Sequence, residues 1–308
     1  MPWKKLLNTL LFVALSISAH ARENIWITSP YSAGSTGNIA LQRVVDRANV
    51  IQNQYQLLLD IRAGGQGLVA IRSLAENPQQ RLALINASYI EHLENNTIKE
   101  ADYVPVHAVG EACWAVASLN GNERQGISSL RNTGEIVVGT IGQGNVTHLT
   151  ALAIAEKTRN SVVLIPFKSN KDALINMAGN NGVNFVIERW EHIENLKSIN
   201  SKMRVLGVSC GTRLQALPNM KTLQEQGIDA PGVFMILVSS SQMSLGRQQE
   251  LGALLDQSTR DIGLATMMNI SDMHSPVFGK ETAQQFYRSR IQKIQQLRQK
   301  FQIKLDNK

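Results

Sequence analysis

The chain has 308 residues, enough for one large domain or two domains of ordinary size. Hydrophobic residues make up 43% of it and charged residues 18%, a balance that excludes a disordered chain and is typical of a folded globular protein. The formal net charge is +7. No aromatic interleaving or recognised binding module accompanies the basic residues, so nucleic acid is not an expected partner.

The N-terminus has the pattern of an export signal. Lys4 and Lys5 precede an apolar run over residues 6–17, and Ala19-His20-Ala21 fits a small-x-small cleavage site. The run is too short for a comfortable membrane span. Residues 1–21 are therefore predicted to be a signal peptide that directs the protein to the periplasm. The alternative is a buried or membrane-anchoring first helix.

The two cysteines, Cys113 and Cys210, both lie in apolar, strand-like runs. In an oxidising compartment a disulfide between them is one possibility, and free buried cysteines are the other. Two cysteines form no metal-site pattern, and neither a metal nor a cofactor is expected.

Strands alternate with helices in the first part of the chain. A strand over residues 24–29 leads to a helix over 39–50, a strand over 56–61 leads to a helix over 68–75, and a third strand covers 81–85. The strand-to-helix junctions at residues 30–38 and 62–67 are rich in glycine. This order predicts α/β layers around a mainly parallel sheet.

The alternation restarts after a long apolar run at residues 106–119, which ends in turn residues. Strands are predicted at 135–138, 161–166, 183–187 and 203–209, and helices at 146–157, 171–178 and 190–199. A strand-like run at 232–238 and helices from residue 245 onward, the last over 282–301, complete the chain.

Two half-chains of this kind, without a Pro- or Ser-rich linker, predict two doubly wound domains joined by crossover strands. The candidate crossovers are residues 106–119 and 232–238. Domain 1 is expected to comprise residues 22–119 plus 232–308, and domain 2 residues 120–231. Ligands of open α/β sheets bind beyond the carboxyl ends of strands, where these glycine loops fall, so a cleft between the lobes is expected.

The loop GTIGQGNVTHL, residues 139–149, is the stretch most indicative of a binding site. Its glycines and small polar residues lie at a helix start, where free N–H groups and the helix dipole favour an anion. The glycine spacing is not that of a dinucleotide-binding loop, and the sequence has no Walker-type Gly-Lys-Ser/Thr run. For any one such loop, a tight structural turn is the alternative.

Five segments, taken in order, resemble the periplasmic solute-binding proteins of tripartite tricarboxylate transporters, the Bug or TctC-like family. They are PYSAGSTGN (30–38), AGG (63–65), GTIGQGNVTHL (139–149), PFKS (166–169) and LPNMKTLQEQG (217–227). The resemblance extends from residue 25 to about residue 232. It implies a two-lobed periplasmic-binding-protein (Venus-flytrap) fold. In that family the lobes close on a small carboxylate, which is held mainly by backbone N–H groups and small hydroxyls.

The resemblance also implies ligand-binding residues in both lobes: Tyr31, Ser35, Thr36 and Asn38 in the first, and Thr140, Gly144, Asn145, His148, Phe167 and Lys168 in the second. Asn38 stands where the family has an acidic residue. An uncharged or anionic ligand end is therefore expected rather than an ammonium group.

Three of the polar residues have two interpretations each. Lys168 is either a countercharge to a second carboxylate or a solvated loop lysine. His148 either donates to a ligand carboxylate or bonds its own loop. Glu188, after the strand at 183–187, either points into the cleft or complements the dipole of the next helix.

The expected function is that of an extracytoplasmic receptor, working as a monomer, that delivers a small organic acid to the permease subunits of a tripartite tricarboxylate transporter. One alternative is a receptor that presents its ligand to a sensor kinase. The other is a secreted enzyme that uses the same cleft. An enzyme is not expected, because the histidines are scattered and His-x-x-x-His does not occur.

Overall fold

The computed structural model describes residues 21–31, 33–263, 273–279 and 281–303. The predicted signal peptide, residues 1–21, thus lies outside the described residues apart from Ala21. Within the described ranges, no helix combines the length and the apolar character that crossing a membrane requires.

Eleven strands are described, together with eight α-helices. The strands are β1 Glu23–Ser29, β2 Tyr55–Ile61, β3 Arg81–Ile85, β4 Tyr103–Ala112, β5 Ala115–Ser118, β6 Glu135–Thr140, β7 Ser161–Pro166, β8 Phe185–Glu188, β9 Arg204–Val208, β10 Val233–Ser240 and β11 Met273–His274. The helices are α1 Thr36–Ile51, α2 Leu68–Arg72, α3 Tyr89–Glu94, α4 Val146–Thr158, α5 Asn170–Ala178, α6 Trp190–Leu196, α7 Leu245–Ile262 and α8 Ala283–Lys300.

The strands form two sheets, one in each lobe. The first has the order β11-β4-β10-β3-β1-β2, and the second has the order β7-β6-β8-β5-β9. Helices cover the faces of both sheets, which is the predicted two-lobed, doubly wound arrangement.

The expectation of mainly parallel sheets is correct only for part of each sheet. β1 pairs in parallel with β2 and β3, and β6 does so with β7 and β8. β10 is antiparallel to β3 and β4, and β5 is antiparallel to β8 and β9. Both sheets are therefore mixed. Because β10 lies in the first sheet along its whole length, the predicted crossover at residues 232–238 is not one, and the chain returns to the first lobe before this strand.

The predicted crossover at residues 106–119 exists, but it consists of two strands instead of one. β4 ends at Ala112 in the first sheet, and β5 begins at Ala115 in the second. The chain returns between β9 and β10, so the two lobes are joined by two segments, 113–114 and 209–232.

Alternating side chains bury both faces of the first sheet. On β10, Met235 and Leu237 pack with α1 and α7, whereas Phe234, Ile236 and Val238 pack with α8. This period of two is expected for a strand covered on both sides. The second sheet has a corresponding core on each face, one against α5 and α6 and the other against α4.

Helix α8 contacts both lobes. Phe286, Ile291 and Leu297 of α8 belong to a first-lobe core that also contains Val146 and Leu149 from the start of α4. The first turn of α4, in the second lobe, is thereby packed against the first lobe.

Several helices begin with a side-chain cap. Ser35 caps α1, so the helix starts at Thr36, three residues before the predicted start at Ile39. Asn145 and Ser169 cap α4 and α5 in the same way. The short helix α3 was not predicted, because its six residues are too few to reveal a period.

Cys113 and Cys210 form a disulfide, with a Cα–Cα distance of 4.7 Å. The structure thus decides between the two alternatives that the sequence left open. Cys113 lies in the segment between β4 and β5, and Cys210 lies in the returning segment after β9. The bond therefore ties together the two connections between the lobes.

Candidate ligand-binding site

A cavity of about 470 Å³ lies between the lobes. Its first-lobe wall comes from the loop after β1, the loop after β3, and strands β10 and β11. Its second-lobe wall comes from the loop after β6, the start of α5, the end of β8 and α6. The carboxyl ends of four parallel strands therefore surround it, as expected for an open α/β sheet.

The loop after β1 supplies Tyr31, Gly34, Ser35 and Gly37 to the wall. A Cβ at Gly37 would lie 2.8 Å from Met235 Sδ and 3.1 Å from the Tyr31 ring, so the absence of a side chain lets the start of α1 pack against both. Of the predicted first-lobe residues, Tyr31 and Ser35 line the cavity, and Thr36 is the first residue of α1.

Tyr31 is held at the wall by Asn86, whose Nδ2 donates to the phenol oxygen at 3.0 Å. Burial raises the pKa of Tyr31 to about 12. The neutral phenol therefore keeps its proton and is able to donate a hydrogen bond.

Asn38 lies behind the wall instead of on it. The side chain is buried; its Oδ1 accepts a hydrogen bond from the Ser29 hydroxyl, and its Nδ2 donates to the Tyr31 carbonyl at 3.1 Å. These contacts hold the end of β1 and the following loop in place. The identity of residue 38 therefore says little about the far end of a ligand, contrary to the expectation drawn from the sequence.

Asn145 lines the second-lobe wall, and its orientation is set by two donors. Its Oδ1 accepts from the His148 N–H and from the Thr140 hydroxyl, each at 2.9 Å. The amide is thereby oriented with Nδ2 on the other side, where it is buried and has no hydrogen-bond partner among the described residues. Thr140 is fully buried and supports Asn145 without reaching the cavity.

The first turn of α4 faces the same cavity. Val146 and Thr147 line it, and within the described part of the chain their N–H groups have no acceptor. Such N–H groups, at the positive end of a 13-residue helix, favour a negatively charged oxygen. With the Asn145 amide beside them, these N–H groups form a cluster of hydrogen-bond donors at the cavity wall.

His148 and Gly144 shape this loop from below. The Gly144 N–H donates to His148 Nδ1 at 2.9 Å, and burial, aided by the nearby Arg298 charge, lowers the pKa of His148 to about 4. The ring is therefore neutral, and it bonds its own loop. Gly144 has φ +73°, and a Cβ there would meet the Arg298 guanidinium 2.0 Å away, so only glycine fits.

Phe167 and Lys168 lie at the end of β7, an edge strand, and neither lines the cavity. The Phe167 ring packs against β6 beside Gly139, and Lys168 is exposed. Asn170 and Lys171, at the start of α5, line the cavity instead. Ser169 caps α5, which therefore starts at Asn170. The residues that line the cavity thus lie two to three positions after the predicted Phe167 and Lys168.

Other wall residues come from outside the glycine loops. Glu188, Arg189 and His192 approach from β8 and α6, Trp114 comes from the crossover, and Met235 and Met273 come from the first sheet. Glu188 lines the cavity, and its Oε1 also accepts a hydrogen bond from the Arg189 N–H at the start of α6, so both interpretations of Glu188 apply. The sequence did contain a signal for Trp114 as a cavity residue, because it lies in the predicted crossover at residues 106–119 and a crossover must pass between the lobes.

Asp256, His107 and Thr259 are arranged in the order of a catalytic acid–histidine–hydroxyl triad. His107 Nδ1 lies 2.6 Å from Asp256 Oδ1, and its Nε2 lies 3.3 Å from Thr259 Oγ1. Thr259 is fully buried, however, and its hydroxyl donates to the Leu255 carbonyl at 2.9 Å. The hydroxyl has no path to a substrate, so this group joins α7 to β4. Among the described residues, no cluster of His, Cys, Asp or Glu could hold a metal ion.

Residues 120–243, which include most of the second lobe, match the family model described as the tripartite tricarboxylate transporter family receptor. The predicted resemblance is thereby confirmed. No curated protein sequence matches the chain.

Solved structures of low identity have the same fold. A TctC solute-binding protein from Polaromonas, without ligand, is 17% identical with a TM-score of 0.70, and the match covers 92% of this chain and 99% of that one. The periplasmic binding protein BugD is 14% identical with a TM-score of 0.68 and coverages of 91% and 97%. MatC from Rhodopseudomonas palustris, with bound malate, is 13% identical with a TM-score of 0.66 and coverages of 90% and 98%. These similarities establish the periplasmic-binding-protein fold of this chain.

Proposed function

We propose that the chain is an extracytoplasmic receptor that binds a small organic carboxylate in the interlobe cavity. The observation that carries the proposal is the Asn145 amide, whose Nδ2 has no partner among the described residues and lies beside the first turn of α4. A carboxylate oxygen is the group that such donors satisfy best, because hydrogen bonds to a charged acceptor are the stronger ones.

The opposite wall supports the same chemistry. The start of α1, at Ser35 and Gly37, faces the cavity from the first lobe, and Tyr31 offers a hydroxyl. A ligand that contacts both helix starts binds a closed arrangement of the lobes better than an open one, and so favours closure. Closure of domain 1 (residues 22–119 plus 232–308) on domain 2 (120–231), about the two segments that join the lobes, is part of the proposal.

The comparisons support the ligand class and suggest the partner. MatC has malate bound, and a second R. palustris protein with the same fold, 15% identical, has adipate bound. We propose further that residues 1–21 direct the export of this chain to the periplasm. There it acts as a monomer and delivers the acid to a tripartite tricarboxylate permease.

The test is Asn145→Asp. Aspartate keeps an oxygen for the His148 N–H and the Thr140 hydroxyl, so the helix cap and the melting temperature without ligand are retained. The aspartate side chain replaces the amide donor with a carboxylate, which cannot donate to the carboxylate of the ligand. About tenfold to hundredfold weaker binding of the acid is therefore expected. Calorimetry and thermal shift against mono-, di- and tricarboxylates, including malate and adipate, provide the measurement.

The matched control is Asn219→Asp, at an exposed position outside this cavity, which adds the same charge and leaves affinity unchanged. Equal affinity in Asn145→Asp and the wild type would move the carboxylate away from α4. Failure of every acid to bind the wild type would overturn the receptor function itself.

A further inference from the structure

The cavity contains a carboxylate of its own. Glu188 ends β8, lines the cavity and is 7% exposed. Its Oε1 accepts a hydrogen bond from the Arg189 backbone N–H at 2.7 Å and lies 3.5 Å from His192 Nδ1. Among the described residues, no lysine or arginine side chain forms an ion pair with it.

This position is costly for an acidic side chain. A carboxylate removed from water loses solvation, which a cation or a set of hydrogen-bond donors must replace. It also lies in the same cavity as the donors at Asn145, so a ligand with carboxylates at both ends would bring a second negative charge towards that of Glu188. Charged side chains of both signs line the cavity: Glu188 is the acid, and Lys171 and Arg189 are the cations, of which Arg189 forms an ion pair with Glu191 at 3.3 Å.

The surroundings of Glu188 suit a positively charged group. Trp114, also on the wall, precedes Ala115, the residue that pairs with Glu188 across β5 and β8. An aromatic face attracts cations, and an indole does so most strongly. His192 Nδ1, 3.5 Å from Glu188 Oε1, is buried without a hydrogen-bond partner among the described residues, and a ring nitrogen that carries no proton is an acceptor.

Apolar side chains occupy much of the remaining wall, among them Met235, Met273, Ile141 and Val233. They suit a hydrocarbon body between two polar ends. The first loop, residues 30–38, contains no acidic residue. Its Asn38 lies behind the wall, where it bonds Ser29 and Tyr31.

We propose that the ligand is a zwitterion, an amino carboxylate whose carboxylate meets the start of α4 and whose ammonium group is held by Glu188 with His192 and Trp114. This inference rests on the proposed receptor function and specifies its substrate class. Glu188 then sets the choice of ligand, since it attracts an ammonium group and repels a second carboxylate.

The experiment compares wild type with Glu188→Gln by calorimetry. The probes are the α-amino acids, straight-chain ω-amino carboxylates of four to eight carbons, and the dicarboxylates and monocarboxylates of the same lengths. In the wild type, the best amino carboxylate is expected to bind at least tenfold more tightly than its matched dicarboxylate. Glu188→Gln is expected to lose tenfold or more in that affinity and to retain or improve binding of the dicarboxylate.

The control is Glu194→Gln on α6, a largely exposed position outside the cavity, which should behave as the wild type. A wild type that prefers dicarboxylates, with the preference unchanged in Glu188→Gln, would overturn the zwitterion and leave the carboxylate receptor intact. A wild type that binds none of the probes would overturn both. Melting temperatures without ligand establish that the variants are folded.

Discussion

At the scale of the residue, the polar side chains of the second-lobe loop divide into two groups. Asn145 lines the cavity and has a buried amide Nδ2 without a partner among the described residues, whereas Thr140 and His148 bond other loop atoms and fix its orientation. A substitution in the second group is therefore expected to act on binding through the loop. It also changes stability, which a purely ligand-contacting residue does not.

His148 provides a pH-dependent test of this division. Its pKa is about 4 in the folded chain, mainly because of burial, against about 6.5 when unfolded. Between these values the unfolded chain binds the extra proton, so the free energy of unfolding falls as pH drops from 6.5 towards 4. The loss is expected to reach about 3 kcal/mol. Urea denaturation at a series of pH values measures it.

The comparison variant is His148→Gln, which removes the titrating group and keeps an acceptor for the Gly144 N–H. Its stability is expected to fall less over the same pH range. Burial also lowers the pKa of His274, but that group is present in both proteins and cancels in the difference. Identical pH profiles would show that His148 is not held neutral by the fold.

At the scale of the element, α8 links the two lobes through one buried arginine. Arg298 Nη1 donates to the Gly144 carbonyl at 3.0 Å, and its Nε lies 2.8 Å from Glu94 Oε2. Glu94 belongs to α3 of the first lobe, and Gly144 belongs to the second-lobe loop. The side chain therefore joins the loop after β6 to the first lobe.

Arg298→Met should test this link. It keeps an apolar stem but leaves Glu94 and the Gly144 carbonyl without their partner. The free energy of unfolding is expected to fall by about 2–3 kcal/mol, less than for a fully buried pair because Glu94 is partly exposed. Carboxylate affinity is expected to fall as well, since the loop loses its support.

Arg288→Met, at an exposed position of the same helix, is the control for the loss of a positive charge. It should change neither quantity by more than about 0.5 kcal/mol. If Arg298→Met were no more destabilised than Arg288→Met, the link through α8 would not contribute to stability.

At the scale of the whole molecule, the disulfide between Cys113 and Cys210 joins the two connections between the lobes. It closes a loop across a sequence separation of 97 residues, which includes most of the second lobe. Because such a bond restricts the unfolded chain, its removal is expected to lower the free energy of unfolding by about 3–4 kcal/mol.

Chemical denaturation of the wild type, with and without a thiol reductant, measures this effect. The double variant Cys113→Ser/Cys210→Ser should match the reduced wild type and show no response to the reductant. A wild type whose stability is the same in both conditions would mean that the bond does not constrain the unfolded chain.

Much of the fold follows from local patterns. Period-two strands, glycine junctions and capped helices each depend on a few neighbouring residues, so β3 and β7 have their predicted bounds and the two-lobed class is confirmed. The break between β4 and β5 was missed because both parts are apolar, and an apolar run does not show where a chain changes sheets.

The sequence by itself determined the α/β class, the glycine loops at strand ends and the anion-favouring start of α4, because these depend on residues adjacent in the chain. Only the tertiary structure decided which loop residues reach the cavity and that Glu188 lies in it with His192 and Trp114. It also decided that Arg298 supports a loop 154 residues away. The physical reason is that side-chain direction at a strand end and contacts between lobes depend on packing, which no local pattern specifies.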